Sequence, residues 1–339
     1  MSQRKKRITG IITIFIVIVI IIITIGYNYS LTEIGAILDI PQMKFDLAEQ
    51  HMWSGIFSVM FSGEKNEETG VKDKNLREAV SWYKNIAGSE WSQDKRYPPA
   101  QCALGYCYEG GYGVWKDPRE AERWFNMSRD GLFIGASQGE IRAQYALGAY
   151  YLGFGSGERF RGEEEMRKWL NRAAEEDYAP AQFVLGFSYQ TQLFAKEDDL
   201  KKAARWYQKA ADQGFAPAQI MLALCYTSGQ GVEEDEEKAV EWYRKAAKKK
   251  YAPAQFLLGL CYSQGTGVVK DEEKAIGLFL KAAEQDFAPA QYQLGECFAH
   301  GSGVMRDEEK AIEWYLKAAD QGNGNAQKEL RRRGLWADE

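Results

Sequence analysis

The chain has 339 residues, 45% of them hydrophobic and 27% charged, with a formal net charge of -5. Arg4, Lys5, Lys6 and Arg7 contribute +4, so the remainder carries -9 (-5 minus +4). A body that acidic lacks the basic footprint that phosphate backbones require, which excludes nucleic acid as the expected partner.

Residues 1–7 form a basic segment, expected to be cytoplasmic. The 25 residues from Ile8 to Thr32 carry no charge, and Ile8 to Ile25 is almost purely apolar. That length suits a helix crossing a hydrocarbon core of ~30 Å, where unpaired backbone groups are too costly for other spanning states. A transmembrane signal anchor is therefore expected over 8–27, with everything after it across the membrane. A cleaved signal peptide is the competing reading, but Gly26-Tyr27-Asn28 is a poor cleavage site. Residues 28–46 read as a juxtamembrane linker.

From there a repeat dominates. Ala181-Gln182, Ala218-Gln219, Ala254-Gln255, Ala290-Gln291 and Ala326-Gln327 are spaced by 37, 36, 36 and 36 residues, and looser copies stand at Ala100-Gln101 and Ala143-Gln144. A fixed period in this range is the mark of a solenoid, whose units bury apolar faces against their neighbours. In YAPAQFLLGLCYSQGTGVVKDEEKAIGLFLKAAEQD, Pro253 suits a first helical turn. Ala254, Leu258, Gly259 and Tyr262 then keep helical spacing. Gly265-Thr266-Gly267 breaks the helix. Asp271 to Glu273 start a second one, with Ala275, Leu278, Phe279, Ala282 and Ala283 facing inward. The unit is a helix hairpin.

A degenerate copy precedes the clear ones, with His51 and Gly55 in its first helix and Ala79, Trp82 and Tyr83 in its second. The solenoid is expected over 47–322. A closing helix around Asn325–Arg333 and a tail complete 323–339. The third copy has a longer Gly-rich loop at Gly153–Gly162, and the fourth has QTQLFAKED in place of Gly-x-Gly.

The Ala-Gln pair, Leu-Gly (Leu104-Gly105, Leu147-Gly148, Leu185-Gly186, Leu258-Gly259, Leu294-Gly295) and Gly-Val (Gly231-Val232, Gly267-Val268, Gly303-Val304) recur in register. So do Trp-Tyr (Trp82-Tyr83, Trp206-Tyr207, Trp242-Tyr243, Trp314-Tyr315) and Lys-Ala-Ala. This pattern resembles the Sel-one-like repeat, a relative of the tetratricopeptide repeat. The resemblance implies an all-α, right-handed α-solenoid of about seven hairpins with first helices lining the concave side.

No motif carries chemistry. His51 and His300 have no His or Cys at ligand spacing, so no metal or cofactor is expected. Neither histidine has a nucleophile motif beside it, and catalytic residues are expected to be none. The Gly-x-Gly elements lack the strand and the Lys-Ser/Thr of a phosphate loop. Cys107, Cys225, Cys261 and Cys297 share one register and read as small buried apolar side chains; Cys102 falls elsewhere. Equivalent positions in stacked repeats lie too far apart for a disulfide.

The first and fifth residues after each Gln point away from the hairpin core. They are Cys102 and Tyr106, Tyr145 and Ala149, Phe183 and Phe187, Ile220 and Leu224, Phe256 and Leu260, Tyr292 and Glu296. Polar residues belong on an idle surface, yet this row is largely apolar. Two readings stand: a groove for a protein partner, or burial of the row against flanking repeats by superhelical curvature.

The expectation is a non-enzymatic, membrane-anchored interaction scaffold in a bacterial inner membrane, its N-terminus cytoplasmic and its solenoid periplasmic. Resemblance to envelope relatives implies an immunity protein against a secreted, lipase-type toxin. An adaptor or assembly factor for an envelope complex is the alternative. Asn28-Tyr29-Ser30 and Asn126-Met127-Ser128 are glycosylation sequons and leave an endoplasmic-reticulum setting open.

Overall fold

In the computed structural model the described residues are 41–61, 73–87, 97–152, 162–191 and 196–336. The chain divides into two units, Met1–Leu47 and Ala48–Glu339. Of the first unit only Pro41 to Leu47 are described, as the opening of a helix. The expected anchor over 8–27 lies outside the described residues; among these, no helix is long and apolar enough to cross a membrane.

The described residues form fifteen helices and follow one plan. α1 (Pro41–Phe61) and α2 (Lys74–Ala87) come first. Six regular hairpins follow: α3 (Pro98–Gly110) with α4 (Pro118–Ser137), α5 (Ile141–Leu152) with α6 (Glu163–Glu175), and α7 (Ala179–Gln190) with α8 (Glu197–Asp212). Then come α9 (Ala216–Ser228) with α10 (Glu236–Lys248), α11 (Ala252–Gln264) with α12 (Glu272–Ala283), and α13 (Ala288–His300) with α14 (Glu308–Asp320). α15 (Gly324–Arg332) closes the stack, beginning at Asn323, whose side chain accepts from the Ala326 N–H. The described fold is thus an all-α solenoid of stacked helix pairs.

The sequence signals act locally as expected. Each clear second helix is capped by an Asp side chain: Asp235, Asp271 and Asp307 accept from the N–H three residues on, satisfying an orphan donor of the first turn. Acidic residues follow at the positive end of the dipole. First helices end on glycine in the left-handed region, as at Gly229, Gly265 and Gly301. The second glycine of each turn does more. At Gly267, φ is +64°, and an added Cβ would collide with the Glu236 backbone of the preceding hairpin. The turn therefore seats one repeat on its neighbour.

In four hairpins the Gly of Leu-Gly faces an aromatic ring on the second helix, and in a fifth Gly148 faces Leu170. A Cβ at Gly105 would lie 2.6 Å from Phe125, one at Gly259 2.6 Å from Phe279, and one at Gly295 2.5 Å from Tyr315. These rings are among the most deeply buried side chains, and each buries about 150–250 Å² on folding. Gly55 of α1 sits the same way against Leu76 of α2.

The glutamine of each Ala-Gln pair reaches backward. Gln182, Gln219, Gln291 and Gln327 donate through Nε2 to the carbonyls of Ala174, Ala211, Ala283 and Ala319 at 3.0, 3.0, 3.2 and 3.3 Å. Each adds a second donor to a carbonyl at the C-terminus of the preceding second helix that also accepts a turn N–H, as Ala211 does from Gly214 at 2.9 Å. Gln213, Gln285 and Gln321 extend this into a ladder, donating to Gln182, Gln255 and Gln291 at 2.8, 2.7 and 2.8 Å. On the second helices, Lys209, Lys245 and Lys317 lie over the rings of Trp206, Trp242 and Trp314 at 4.4, 3.5 and 4.1 Å.

The stack curls back on itself. Lys74 at the start of α2 meets Asp286, in the turn before α13, at 2.6 Å. Five cysteines are free; Cys102, Cys107, Cys225 and Cys297 are buried and Cys261 is half-buried. Burial pushes the thiols of Cys225, Cys261 and Cys297 up to about 11 and that of Cys107 higher still. Asn126 lies within α4, and the Ser128 hydroxyl of its sequon is fully buried and donates to the Phe125 carbonyl at 2.9 Å. Asn126 itself is exposed.

A concave face occupied in part by the first helix

The outward row divides into two tiers. Tyr145, Phe183, Ile220 and Phe256, each directly after its Gln, are buried, at 6, 1, 0 and 7% exposure. Tyr106, Phe187, Leu224, Leu260, Tyr292 and Glu296 are half-buried. Tyr145, Phe183, Ile220 and Phe256 thus lie in a seam between repeats rather than on an open surface. The cause is the aromatic residue that opens the next hairpin: Phe183 packs on Phe215 at 5.6 Å, Phe256 on Phe287 at 5.6 Å, and Tyr145 on Tyr178 at 5.4 Å. The second helix closes the other side, with Tyr207 and Phe279 at 5.8 and 5.9 Å from Phe183 and Phe256.

The fifth residue after each Gln stays accessible because it lies beyond that seam, and Tyr292, directly after Gln291, does so because Asn323 stands where an aromatic opens other hairpins. The N-terminal part of this second tier is not empty. The residues of α1 from Glu49 to Phe57 lie against it, spaced so that Glu49, Trp53 and Phe57 share one helical face. Trp53 stacks edge-on against Phe183 at 4.6 Å. Met52, Trp53, Ile56 and Phe57 on one side, with Tyr106, Ala149, Phe187 and Met221 on the other, wall a partly open apolar cavity of about 220 Å³.

Glu49 anchors this arrangement. Its carboxylate, 6% exposed, accepts from the Tyr83 hydroxyl at 2.6 Å and the Tyr145 hydroxyl at 2.8 Å. Burial, reinforced by that carboxylate, holds both phenols well above their usual range, so they remain donors. α1 meets α2 a second time at His51, whose Nδ1 lies 3.2 Å from Glu78.

A related arrangement stands at the far end of the face. The Glu296 carboxylate accepts from the Tyr315 hydroxyl. Burial, and then Glu296, raises the Tyr292 phenol to about 12. Here the carboxylate belongs to the array itself and is half-buried beside Tyr292. Between the two ends lie Leu224 and Leu260.

Among the described residues no group of three or more His, Cys, Asp or Glu is placed to hold a metal. His300 ends α13 and its Nδ1 is 2.9 Å from the Glu296 carbonyl, a capping contact. The sequence assigned α1 to an ordinary first helix. Its position against Tyr145, Phe183 and Met221, from three later hairpins, is a tertiary feature with no periodic signal.

The Sel1 repeat matches at residues 66–87, 98–130, 141–178, 179–215, 216–251, 252–287 and 288–323, more than half of the chain. The first match begins after α1. The chain is 34% identical over 92 residues to chitin synthase regulatory factor 3 of Schizosaccharomyces pombe, across 27% of this chain and 9% of that protein. It therefore spans less than a tenth of that relative's length. Among solved structures it is similar to c5321, a protective antigen of uropathogenic Escherichia coli strains displaying an SLR fold. That match has 27% identity and a TM-score of 0.49, covering 92% of this chain and 62% of that one. A Sel1 repeat protein from Oxalobacter formigenes gives 26% identity and a TM-score of 0.49, covering 78% and 96%. The Sel1 repeat is a scaffold unit, generally non-catalytic, and this chain belongs to the Sel1 repeat family.

Proposed function

We propose that the chain is a membrane-anchored scaffold whose concave face binds another protein at Leu224, Leu260, Tyr292 and Glu296. The observation carrying this reading is α1 itself: a helix already lies against the same tier of side chains one to three hairpins earlier. Apolar residues that stay accessible where the repeat core does not need them mark interaction surfaces, and Glu296 adds an acidic acceptor that favours a basic or donor group. Arg4 to Arg7 ahead of the apolar stretch Ile8–Ile25 supports an anchor with the array on the outer side of a bacterial inner membrane.

Immunity toward a secreted toxin is the finer reading. It rests on the resemblance to envelope relatives and on a single anchor presenting a scaffold. A regulatory adaptor is the second reading, favoured by the name of the fungal relative, a regulatory factor. The test is a paired substitution, Leu224→Ser with Leu260→Ser, in the full-length protein. The proposal expects loss of partner capture from the native envelope with circular dichroism unchanged. Capture that survives in the folded double variant overturns it. Growth rescue against a periplasmic toxin separates immunity from an adaptor role.

A further inference from the structure

We infer that Glu49–Phe57 of α1 is an internal ligand of the concave face, and that this stretch of the face accepts in exchange a partner helix presenting a carboxylate and two aromatics at i, i+4 and i+8. The inference rests on the reading that the concave face binds protein, and it names the kind of partner.

Three observations carry it. First, the family's first match, 66–87, leaves α1 outside it, and α1 reaches side chains of three later hairpins, Tyr145, Phe183 and Met221. Second, its contacts follow a recognition pattern. One carboxylate is held by two tyrosine hydroxyls, one from α2 and one from α5. Four residues on, the Trp53 indole meets the Phe183 ring, and after four more Phe57 is buried to 2% exposure. An amphipathic helix laid in an apolar groove is read through anchors at this spacing.

Third, the fit is incomplete. The cavity of about 220 Å³ lies along the α1 contact, whereas protein interiors leave few voids larger than a water molecule. The Trp53 Nε1–H is buried and has no hydrogen-bond acceptor among the described residues, which leaves the cost of desolvating that group uncompensated. A helix with bulkier apolar residues at the positions of Met52 and Ile56, and an acceptor near the indole, gains both terms over α1. The His51–Glu78 tie of α1 to α2 is half-exposed and adds little, so the internal copy is held chiefly by the Glu49–Tyr83 bond and the Gly55–Leu76 contact.

The experiment uses the full-length protein in detergent and a fluorescein-labelled synthetic peptide of residues 46–61 as the probe. A tethered segment acts at an effective concentration on the order of millimolar, so the unaltered chain should bind the peptide poorly. Glu49→Gln and Trp53→Ala weaken the internal copy and should raise peptide affinity by about 100-fold. Phe187→Ser added to either variant should abolish the gain, and a peptide carrying Trp53→Ala should not bind.

Released variants that keep their helicity and bind the peptide no better than the unaltered chain overturn the inference. Hydrogen exchange on the unaltered chain tests it without mutation. Amides of 48–58 should exchange at least about tenfold faster than those of α9. Equal protection of the two also overturns it. No external partner enters either assay, so failure here is separable from failure of capture at Leu224 and Leu260.

Discussion

The two glycines of one turn give the sharpest test of how the repeats are joined. Gly265 and Gly267 both have φ in the left-handed region, at +80° and +64°. Alanine at either position costs about 1–2 kcal/mol for that conformation alone. Their surroundings differ. A Cβ at Gly265 would have Lys270 Cβ as its nearest neighbour at 3.3 Å, a contact the loop can relax. A Cβ at Gly267 would lie 2.6 Å from the carbonyl carbon of Glu236, backbone in the first turn of α10. Relief there requires moving one hairpin against another, and overpacking of that kind adds about 1–3 kcal/mol. Gly265→Ala is therefore expected to destabilise by about 1–2 kcal/mol and Gly267→Ala by about 2–5 kcal/mol. Urea unfolding followed by fluorescence, with hydrogen exchange on α10 and α12 to localise the loss, measures the difference. Equal effects, or a larger one at Gly265, refute the claim that the second glycine seats neighbouring repeats.

Gln219→Ala should destabilise by about 1–2 kcal/mol, because the Ala211 carbonyl loses a buried donor, and urea unfolding detects it. Gln208→Ala on α8, which removes only a bond to Asp212 at the surface, should change stability by less than about 0.5 kcal/mol. With thiols raised to about 11 at Cys225, Cys261 and Cys297, the thiolate fraction at pH 8 is about a thousandth. Ellman's reagent should accordingly label these positions slowly in the native chain and rapidly in urea; fast native labelling contradicts their role as core filler. Lys74→Glu should cost no more than about 1 kcal/mol, since its pair with Asp286 is half-exposed, and Asp286→Lys in the same chain should restore the loss. A thermal melt at low salt reads both.

Period and register were enough to derive the hairpins, because each repeat carries its own stop and start chemistry. Gly-x-Gly ends a first helix, and an Asp followed by acidic residues begins the second. The cysteine register likewise foretold burial for Cys107, Cys225 and Cys297. The role of the repeated glutamine was not legible: its marker position was plain, but its bond to a carbonyl eight residues earlier depends on how successive hairpins meet. The burial of Tyr145, Phe183 and Phe256 was left open by helical geometry, which places them away from their own hairpin. What decides it is the aromatic before each Ala-Pro-Ala-Gln, at Tyr178, Phe215 and Phe287, which folds onto the neighbouring repeat. That residue recurs with the same period, so the signal was present in the sequence. The path of α1 was not, since a segment outside the repeat has no period to place it.

Side-chain burial thus moves the candidate surface away from the aromatic seam and toward Leu224, Leu260, Tyr292 and Glu296. A photo-crosslinking amino acid at position 260 of the full-length protein, activated in the native envelope, tests that placement most directly. The account predicts a discrete crosslinked protein from position 260 and none from position 205 on α8. Crosslinking from position 205 with none from position 260 would contradict it.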